Sequence, residues 1–262
     1  MMPETTGPGT VGVRIARRGA PILAVALDVP LSEQDLALAE TLRGLPVWLK
    51  VGLELFTAEG PTLARRLVER RFPLFLDLKF HDIPNTVQGA TRSATLLGAR
   101  MTTLHVCGGE AMCRAAVAGR EEGLDLRRKK AFQDRRLPES GPLLMGITVL
   151  TSDAGREEDL RAAVVERALT AKSCGLDGVV CSGREAAAVK AACGGDFLCL
   201  CPGIRFDGFA GGDDQARICT PTQAVRAGAD FLVMGRPVIG TANPAEAAAA
   251  ALKEMELASR TT

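Results

Sequence analysis

The sequence predicts a single (β/α)8 TIM barrel of the α/β class, and two features of its 262 residues carry that prediction. Short apolar segments alternate with longer amphipathic segments, which is typical of a parallel sheet whose strands are joined by helices. The alternation repeats eight times along the chain, and eight repeats favour closure into a barrel over an open sheet.

The predicted strands are almost continuously apolar, as expected for strands that are buried on both faces. They cover residues 22–29, 47–52, 74–80, 101–106, 143–151, 178–182, 197–201 and 230–235. The predicted helices cover residues 32–43, 59–71, 86–97, 110–122, 157–174, 184–192, 220–227 and 244–257. An open doubly wound sheet is the alternative, but the sequence LDVPLS after the first strand lacks the Gly-x-Gly-x-x-Gly of that fold.

We expect residues 1–19, which are rich in Gly, Pro and Thr, to form a flexible N-terminal tail, and residues 20–262 to form the catalytic barrel. Basic residues followed by the apolar run 22–27 resemble the start of a signal peptide. However, that run is short and Asp28 follows it directly, so we interpret it as a strand and expect a cytoplasmic protein.

Composition argues against a surface dedicated to nucleic acid or membrane, because the formal net charge is +1 and the chain has one Trp and no Tyr. The strongly basic segment 127–138 could bind a polyanion or form a solvated loop. The second interpretation is favoured, since this loop joins a helix to the next strand at the bottom of the barrel, away from the active-site end.

The eight cysteines do not predict a metal site, because the sequence contains no Cys-x-x-Cys and has only two histidines, His81 and His105. We expect both histidines to be structural, and the cysteines to be reduced and mostly buried. No cofactor is expected.

Charged residues follow the predicted strands at the end where barrel enzymes build their active sites. They are Asp28, Lys50, Asp77, Lys79 and Asp82. Because side chains alternate across a strand, Asp77 and Lys79 should both point into the barrel mouth. Charges that leave water are costly unless they are paired, so a structural ion-pair network is a weaker interpretation than a catalytic array.

A second group of residues predicts a phosphate site in the loops after strands 7 and 8, where this fold commonly binds phosphate. Gly203 and Gly235 would allow backbone N–H groups to approach an anion, and Arg205 and Arg236 would supply charge and forked donors.

Thr151 and Gln215 lie between the two groups in the predicted layout, and either could form hydrogen bonds with a neutral ring. The residues alone therefore predict a phosphorylated ligand with a Lys/Asp array at its far end.

The segment DLKFHDIPNT at residues 77–86 resembles the signature of the orotidine 5'-phosphate decarboxylase family, specifically its shorter bacterial type. The resemblance runs from about Ile22 to Ala251. Further matching segments are VALD at 25–28, LKVG at 49–52, LHVCGG at 104–109, TVLTS at 148–152, LDGVVCS at 176–182, PGIR at 202–205 and GRPV at 235–238.

The resemblance implies decarboxylation of orotidine 5'-phosphate to uridine 5'-monophosphate and CO2, the last step of de novo pyrimidine nucleotide synthesis. It implies that Asp77 lies beside the scissile carboxylate and that Lys79 stabilises a carbanion-like transition state at C6 and then protonates that carbon. It also implies a homodimer in which Asp82 and Thr86 reach the neighbouring active site. The implied catalytic residues are Lys50, Asp77, Lys79 and Asp82.

The same resemblance assigns the substrate contacts. Asp28 and Lys50 should bind the ribose, and Thr151 and Gln215 the pyrimidine. The phosphate should be bound by Arg205, Gln215, Gly235 and Arg236.

Two other functions are compatible with parts of this pattern. A magnesium-dependent sugar-phosphate decarboxylase or aldolase would share the Asp-x-Lys-x-x-Asp spacing, and a non-catalytic phosphosugar-binding barrel would share the phosphate loops. The segments FHDIPNT and TVLTS favour the nucleotide enzyme over the first, and the intact Lys and Asp set speaks against the second.

Overall fold

A computed structural model describes residues 20–28, 32–129, 137–150, 156–208 and 218–260. In the described ranges, consecutive parallel strands pair with one another and the last pairs with the first, which closes the barrel and confirms the predicted fold. The strands are β1 (Ile22–Ala26), β2 (Val47–Gly52), β3 (Leu74–Phe80), β4 (Met101–His105), β5 (Leu143–Ile147), β6 (Gly178–Val180), β7 (Leu198–Cys201) and β8 (Phe231–Met234).

Helices separate the strands and cover the barrel. They are α1 (Ser32–Thr41), α2 (Leu53–Glu69), α3 (Pro84–Leu97), α4 (Glu110–Arg128), α5 (Glu157–Ser173), α6 (Ala186–Cys193), α7 (Pro221–Arg226), α8 (Arg236–Ile239) and α9 (Pro244–Ser259). The sequence patterns did not predict two short elements, the 3-10 turn Val106–Gly108 and α8. Both come just after strands, where three or four helical residues give no periodic signal.

Two predicted helix starts were wrong for reasons of backbone chemistry. Helix α2 begins at Leu53 rather than at residue 59, and it contains a break at Gly60, which has φ 61° and precedes Pro61. Helix α3 begins at Pro84 rather than at residue 86. Proline suits the first helical position because its fixed φ is already helical and its missing N–H is not needed there.

Alternate strand residues face the barrel interior and form a core of their own. This inner cluster includes Trp48, Phe75 and Phe231, and the rings of Trp48 and Phe231 meet edge to face with centroids 5.2 Å apart. The other strand residues pack outward against the helices in a larger cluster that includes Leu76. Leu78 and Phe80 are half-buried against this outer cluster, as predicted for the apolar face of β3.

The inward alternation explains how the fold positions the site. The inner apolar layer includes one residue from each of five strands: Ala26, Trp48, Phe75, Met101 and Val233. Two residues further toward the carboxyl end of each strand, the side chain points inward again, above this layer. The next residues with the same parity are Asp28, Lys50, Asp77, Thr103 and Gly235. Polar side chains thus replace apolar ones where the barrel opens, because the pleat has a period of two residues.

All eight cysteines are free thiols, and each is buried except Cys107. Burial raises the pKa of Cys113 to about 11, as expected for a thiol that packs as a small apolar side chain. No helix in the described part of the chain is long and apolar enough to cross a membrane. The cytoplasmic location stays a prediction.

Two other predictions are only partly testable. The predicted tail, residues 1–19, lies outside the described residues, as does 130–136 of the basic segment. The described start of that segment, Arg127 to Lys129, ends α4 and leads toward the amino end of β5, the end of the barrel opposite the charged strand tips. This agrees with a loop at the bottom of the barrel.

A buried ion pair ties α4 to the sheet at the bottom of the barrel. The Asp177 carboxylate accepts hydrogen bonds from Arg120 at 2.6 Å and from the backbone N–H of Leu144 at 2.8 Å. The side chains of Arg120 and Asp177 are only 11% and 9% exposed. A charge at this depth needs its partner, since an uncompensated buried charge is strongly destabilising.

We therefore predict that Arg120→Met lowers the free energy of unfolding by about 3–5 kcal/mol, because it keeps the apolar stem but leaves Asp177 unpaired. Arg260→Met is the matched control: it removes the exposed pair with Glu256 and should change stability by less than about 1 kcal/mol. Urea unfolding of both variants measures the difference, and equal small losses would contradict the structural role of the pair.

Candidate active site

A cavity of about 460 Å³ opens at the carboxyl ends of the strands, where the sequence predicts the site. Its floor is apolar and is formed by inward side chains of the barrel, among them Phe75, Leu200 and Val233. Its walls carry the charged residues. Of the predicted site residues, those that line the cavity are Asp28, Lys50, Asp77, Lys79, Arg205, Gly235 and Arg236.

Lysines and aspartates alternate in space on one wall of this cavity. The Lys50 Nζ lies 3.2 Å from Asp28 Oδ1 and 3.7 Å from Asp77 Oδ2. The Lys79 Nζ donates to Asp77 Oδ2 at 2.9 Å. Gly52 leaves room for this array, because a Cβ at that position would come within 2.9 Å of Lys50 Nζ. Four of the five predicted charged residues, Asp28, Lys50, Asp77 and Lys79, therefore contact one another directly.

Asp77 is the most deeply buried carboxylate of the array, with 8% of its surface exposed. Burial alone would raise the pKa of its carboxyl group. The charges of Lys50 and Lys79, together with hydrogen bonds from Lys79 and Thr103, outweigh burial and hold the pKa below its usual value. Asp77 is thus ionised at neutral pH, and the stability that its ionisation contributes is lost only as the pH falls through that low pKa.

The backbone at Lys79 departs from regular strand geometry. Lys79 has φ 49°, a left-handed value that residues with a Cβ rarely adopt. The ladder between β3 and β4 shifts register between Leu76 and Phe80, so the Lys79 N–H donates to the Thr103 hydroxyl at 2.9 Å. Strained backbone of this kind is concentrated at functional sites.

The opposite side of the cavity mouth carries two arginines and two glycines. Arg205 is 6% exposed, whereas Arg236 is exposed at the first turn of α8. Gly203 has φ 76°, a conformation that favours glycine, and it allows the chain to turn into the cavity wall directly after β7. At Gly235 a Cβ would lie 3.5 Å from Asp28 Oδ2, so the arginine side of the cavity lies next to the Lys/Asp array at this point.

Two predicted site residues in the described part of the chain do not line the cavity, and two others cannot be placed. Asp82 and Thr86 are exposed and do not line it, and the Asp82 carboxylate accepts the Ile83 N–H at 2.7 Å. Thr151 and Gln215 lie outside the described residues, so their assignment stays a prediction.

Two polar residues that line the cavity in the described part of the chain were not predicted from the sequence. Thr103 lies on β4 and Glu54 in the first turn of α2. The paired threonines of MTTLHV, a predicted strand, carried a signal for Thr103, because adjacent strand residues face opposite sides and one threonine must point inward. Glu54 had no such signal, since helix α2 was expected to start after it.

The histidines pack beside the array. The rings of His81 and His105 are tilted, with centroids 5.2 Å apart. Burial lowers the pKa of His105, and the neighbouring His81 adds to that effect. Neither ring lines the cavity, which agrees with the predicted structural role. In the described ranges, no group of three or more His, Cys, Asp or Glu side chains is arranged to hold a metal ion.

Comparison with known proteins identifies the class. The model of the orotidine 5'-phosphate decarboxylase / HUMPS family matches residues 21–251, so the chain belongs to this family. Named relatives narrow the assignment. The orotidine 5'-phosphate decarboxylase of Nitratidesulfovibrio vulgaris is 51% identical and covers 89% of this chain and 97% of its own length. That of Moorella thermoacetica is 42% identical, with coverages of 90% and 92%.

Solved structures agree with these relatives. Orotidine 5'-phosphate decarboxylase from Lactobacillus acidophilus superposes with a TM-score of 0.75 at 33% identity, and covers 90% of this chain and 99% of its own. An uncharacterized conserved protein from Geobacillus kaustophilus gives a TM-score of 0.73 at 33% identity, with coverages of 89% and 99%. The predicted identification as an orotidine 5'-phosphate decarboxylase is confirmed by the family and its relatives, which favour it over the two alternative functions.

Proposed function

We propose that this enzyme decarboxylates orotidine 5'-phosphate with Lys79 as electrostatic stabiliser and proton donor. One observation carries the proposal: the Lys79 ammonium group is fixed 2.9 Å from the buried Asp77 carboxylate on the wall of the cavity. A cation held at a carboxylate can serve a substrate whose own carboxylate leaves and whose ring carbon takes up a proton.

The charge distribution orients the substrate in one direction. The phosphate belongs at Arg205 and Arg236, because guanidinium groups match phosphate oxygens with paired donors. The ribose hydroxyls belong between Asp28 and Lys50, which lie between the arginine side and the Asp77 side of the cavity. The pyrimidine then covers the apolar floor, with its carboxylate beside Asp77.

The reaction needs stabilisation of an electron pair that the ring cannot delocalise. When the bond from C6 to the carboxylate breaks, CO2 leaves and the electron pair stays in the plane of the ring. Lys79 stabilises this developing charge and then transfers a proton from Nζ to C6, which yields uridine 5'-monophosphate. Asp77 holds the ammonium in place and would also repel the substrate carboxylate, although the size of such ground-state effects is disputed.

One lysine is not sufficient for the whole rate enhancement. Two unit charges at about 4 Å and an effective dielectric constant of about 20 interact by roughly 4 kcal/mol. Decarboxylation without a cofactor requires more than this, so binding at the phosphate end must also favour the transition state. Closure over the ligand and exclusion of water would strengthen each electrostatic contact.

We predict that Lys79→Ala lowers kcat by about 1000-fold or more, because it removes both the stabilising charge and the proton donor. The affinity for uridine 5'-monophosphate should stay within about tenfold, since the other contacts remain. Lys253→Ala, at an exposed position on α9, is the control and should leave both quantities unchanged. If the Lys79 variant turns over within tenfold of the wild type, Lys79 is not the proton donor.

Arg236→Ala should reduce kcat/KM for orotidine 5'-phosphate by roughly 10-fold to 150-fold, the equivalent of about 1.5–3 kcal/mol for a charge-assisted contact. The loss should depend on the phosphate, so orotidine without phosphate should be turned over equally, however slowly, by variant and wild type. Arg226→Ala removes an exposed arginine at the other end of the barrel and serves as the control. Equal kcat/KM for the phosphorylated substrate would place the phosphate elsewhere.

We further propose that the enzyme is a homodimer in which Asp82 and Thr86 contribute to the neighbouring site. Two features support it. Asp82 and Thr86 lie on the exposed segment that directly follows β3, the strand that carries Asp77 and Lys79. Neither residue lines the cavity of its own subunit. Between them the apolar side chain of Ile83 exposes 66% of its surface, so this segment offers apolar area that a second subunit could bury.

The shared site predicts complementation between two inactive variants. When Lys79→Ala and Asp82→Ala chains exchange freely, about half of the dimers are hybrids, and each hybrid has one site without a lesion. Activity should therefore recover to roughly a quarter of the wild-type value at equal total chain concentration. If mass spectrometry confirms exchange and activity does not recover, Asp82 acts within its own subunit.

A further inference from the structure

Thr103 occupies an unusual position between the two central residues of the array. It lies on β4, is 1% exposed, and points into the barrel beside the catalytic strand. Its hydroxyl donates to Asp77 Oδ1 at 2.8 Å and accepts the Lys79 backbone N–H at 2.9 Å. A threonine hydroxyl has one proton to donate, so both neighbours are served at once by a single oriented group.

The strand pairing shows why a side chain is needed here. Leu76 pairs with Thr102, and Phe80 pairs with Leu104, so residues 77–79 of β3 face only Thr103 of β4. The extra residues interrupt the ladder of backbone hydrogen bonds, as a bulge does. The Lys79 N–H is left without its ladder partner, and the Thr103 hydroxyl takes that place.

The same contact supports the left-handed conformation of Lys79. With φ 49°, Lys79 is one of two non-glycine residues with positive φ among the described residues, and it is the one in the cavity wall. Such a conformation persists only where surrounding contacts hold it. The two hydrogen bonds of the Thr103 hydroxyl fix the backbone of Lys79 on one side and, on the other, the Asp77 carboxylate that binds the Lys79 ammonium group.

We propose that Thr103 is a positioning residue that holds the Lys79 side chain and the Asp77 carboxylate in the relative positions needed for proton transfer to the substrate. The proposal rests on the proposed role of Lys79. Thr103 itself touches no reacting atom in this mechanism. Its hydroxyl restricts the positions of Lys79 and Asp77, which lie beside the reacting atoms. A displacement of about 1 Å at such groups can lower the rate about 100-fold.

The neighbouring Thr102 provides a matched control on the same strand. It is 0% exposed, and its hydroxyl donates to the Leu76 carbonyl oxygen at 2.9 Å, on the side away from the cavity. Valine replaces threonine with nearly the same shape and without the hydroxyl. Thr102→Val and Thr103→Val therefore remove one buried hydroxyl each, at equal depth, from opposite faces of β4.

The experiment compares Thr103→Val, Thr103→Ser and Thr102→Val with the wild type. Thr103→Val should lower kcat for orotidine 5'-phosphate by about 10-fold to 100-fold, while KM and the Kd for uridine 5'-monophosphate stay within about threefold. Thr103→Ser keeps the hydroxyl and should restore kcat to within about fivefold of the wild type. Thr102→Val should leave kcat unchanged, although its thermal stability should also fall, because it loses a buried hydrogen bond.

Three outcomes would overturn the proposal: an unchanged kcat in Thr103→Val, an equal loss of kcat in Thr102→Val, or no rescue by Thr103→Ser. If Thr103→Val does not fold, the comparison of Thr103→Ser with Thr103→Ala makes the same distinction, since only serine retains the hydroxyl. Failure of the proposed role of Lys79 is separable, because Lys79→Ala would then turn over orotidine 5'-phosphate within tenfold of the wild type.

Discussion

The burial of one ionised carboxylate governs the architecture of this site. Asp77 lies at the top of the inner barrel layer, where water cannot solvate its charge adequately. Lys50 and Lys79 supply opposite charge within 3.7 Å and 2.9 Å, and the Thr103 hydroxyl satisfies the other carboxylate oxygen. Any change to one member therefore alters the others, because a buried charge without its partners is strongly destabilising.

Barrel closure supplies these partners from separate strands. Lys50, Asp77 and Thr103 come from β2, β3 and β4, and each occupies an inward position at the carboxyl end of its strand. Parallel strands in register bring such positions together, and the same alternation places apolar side chains below them. The site thus has a dry floor and a charged wall, an arrangement in which electrostatic interactions are stronger than in water.

The two sides of the cavity carry different charged groups, so groups that can bind a substrate are separated from groups that can act on its reacting bond. Arg205 and Arg236 stand at one side of the mouth, on the loops after β7 and β8, while the Lys79 ammonium lies on the β3 side. Binding free energy from a phosphate at the arginines can be used to hold the ring against the array without taking part in bond breaking. This division suits an enzyme that relies on fixed charges for its chemistry.

The sequence by itself determined the barrel, most strand positions and four charged residues of the cavity wall, Asp28, Lys50, Asp77 and Lys79, because periodicity and strand ends are local properties of the chain. It did not determine the Thr103 contact or the left-handed conformation of Lys79. Those depend on how far one strand is shifted against its neighbour and on what fills the space between them. Register shifts and backbone strain arise only when distant segments are packed together, so the tertiary structure alone decided which hydroxyl joins Asp77 to Lys79.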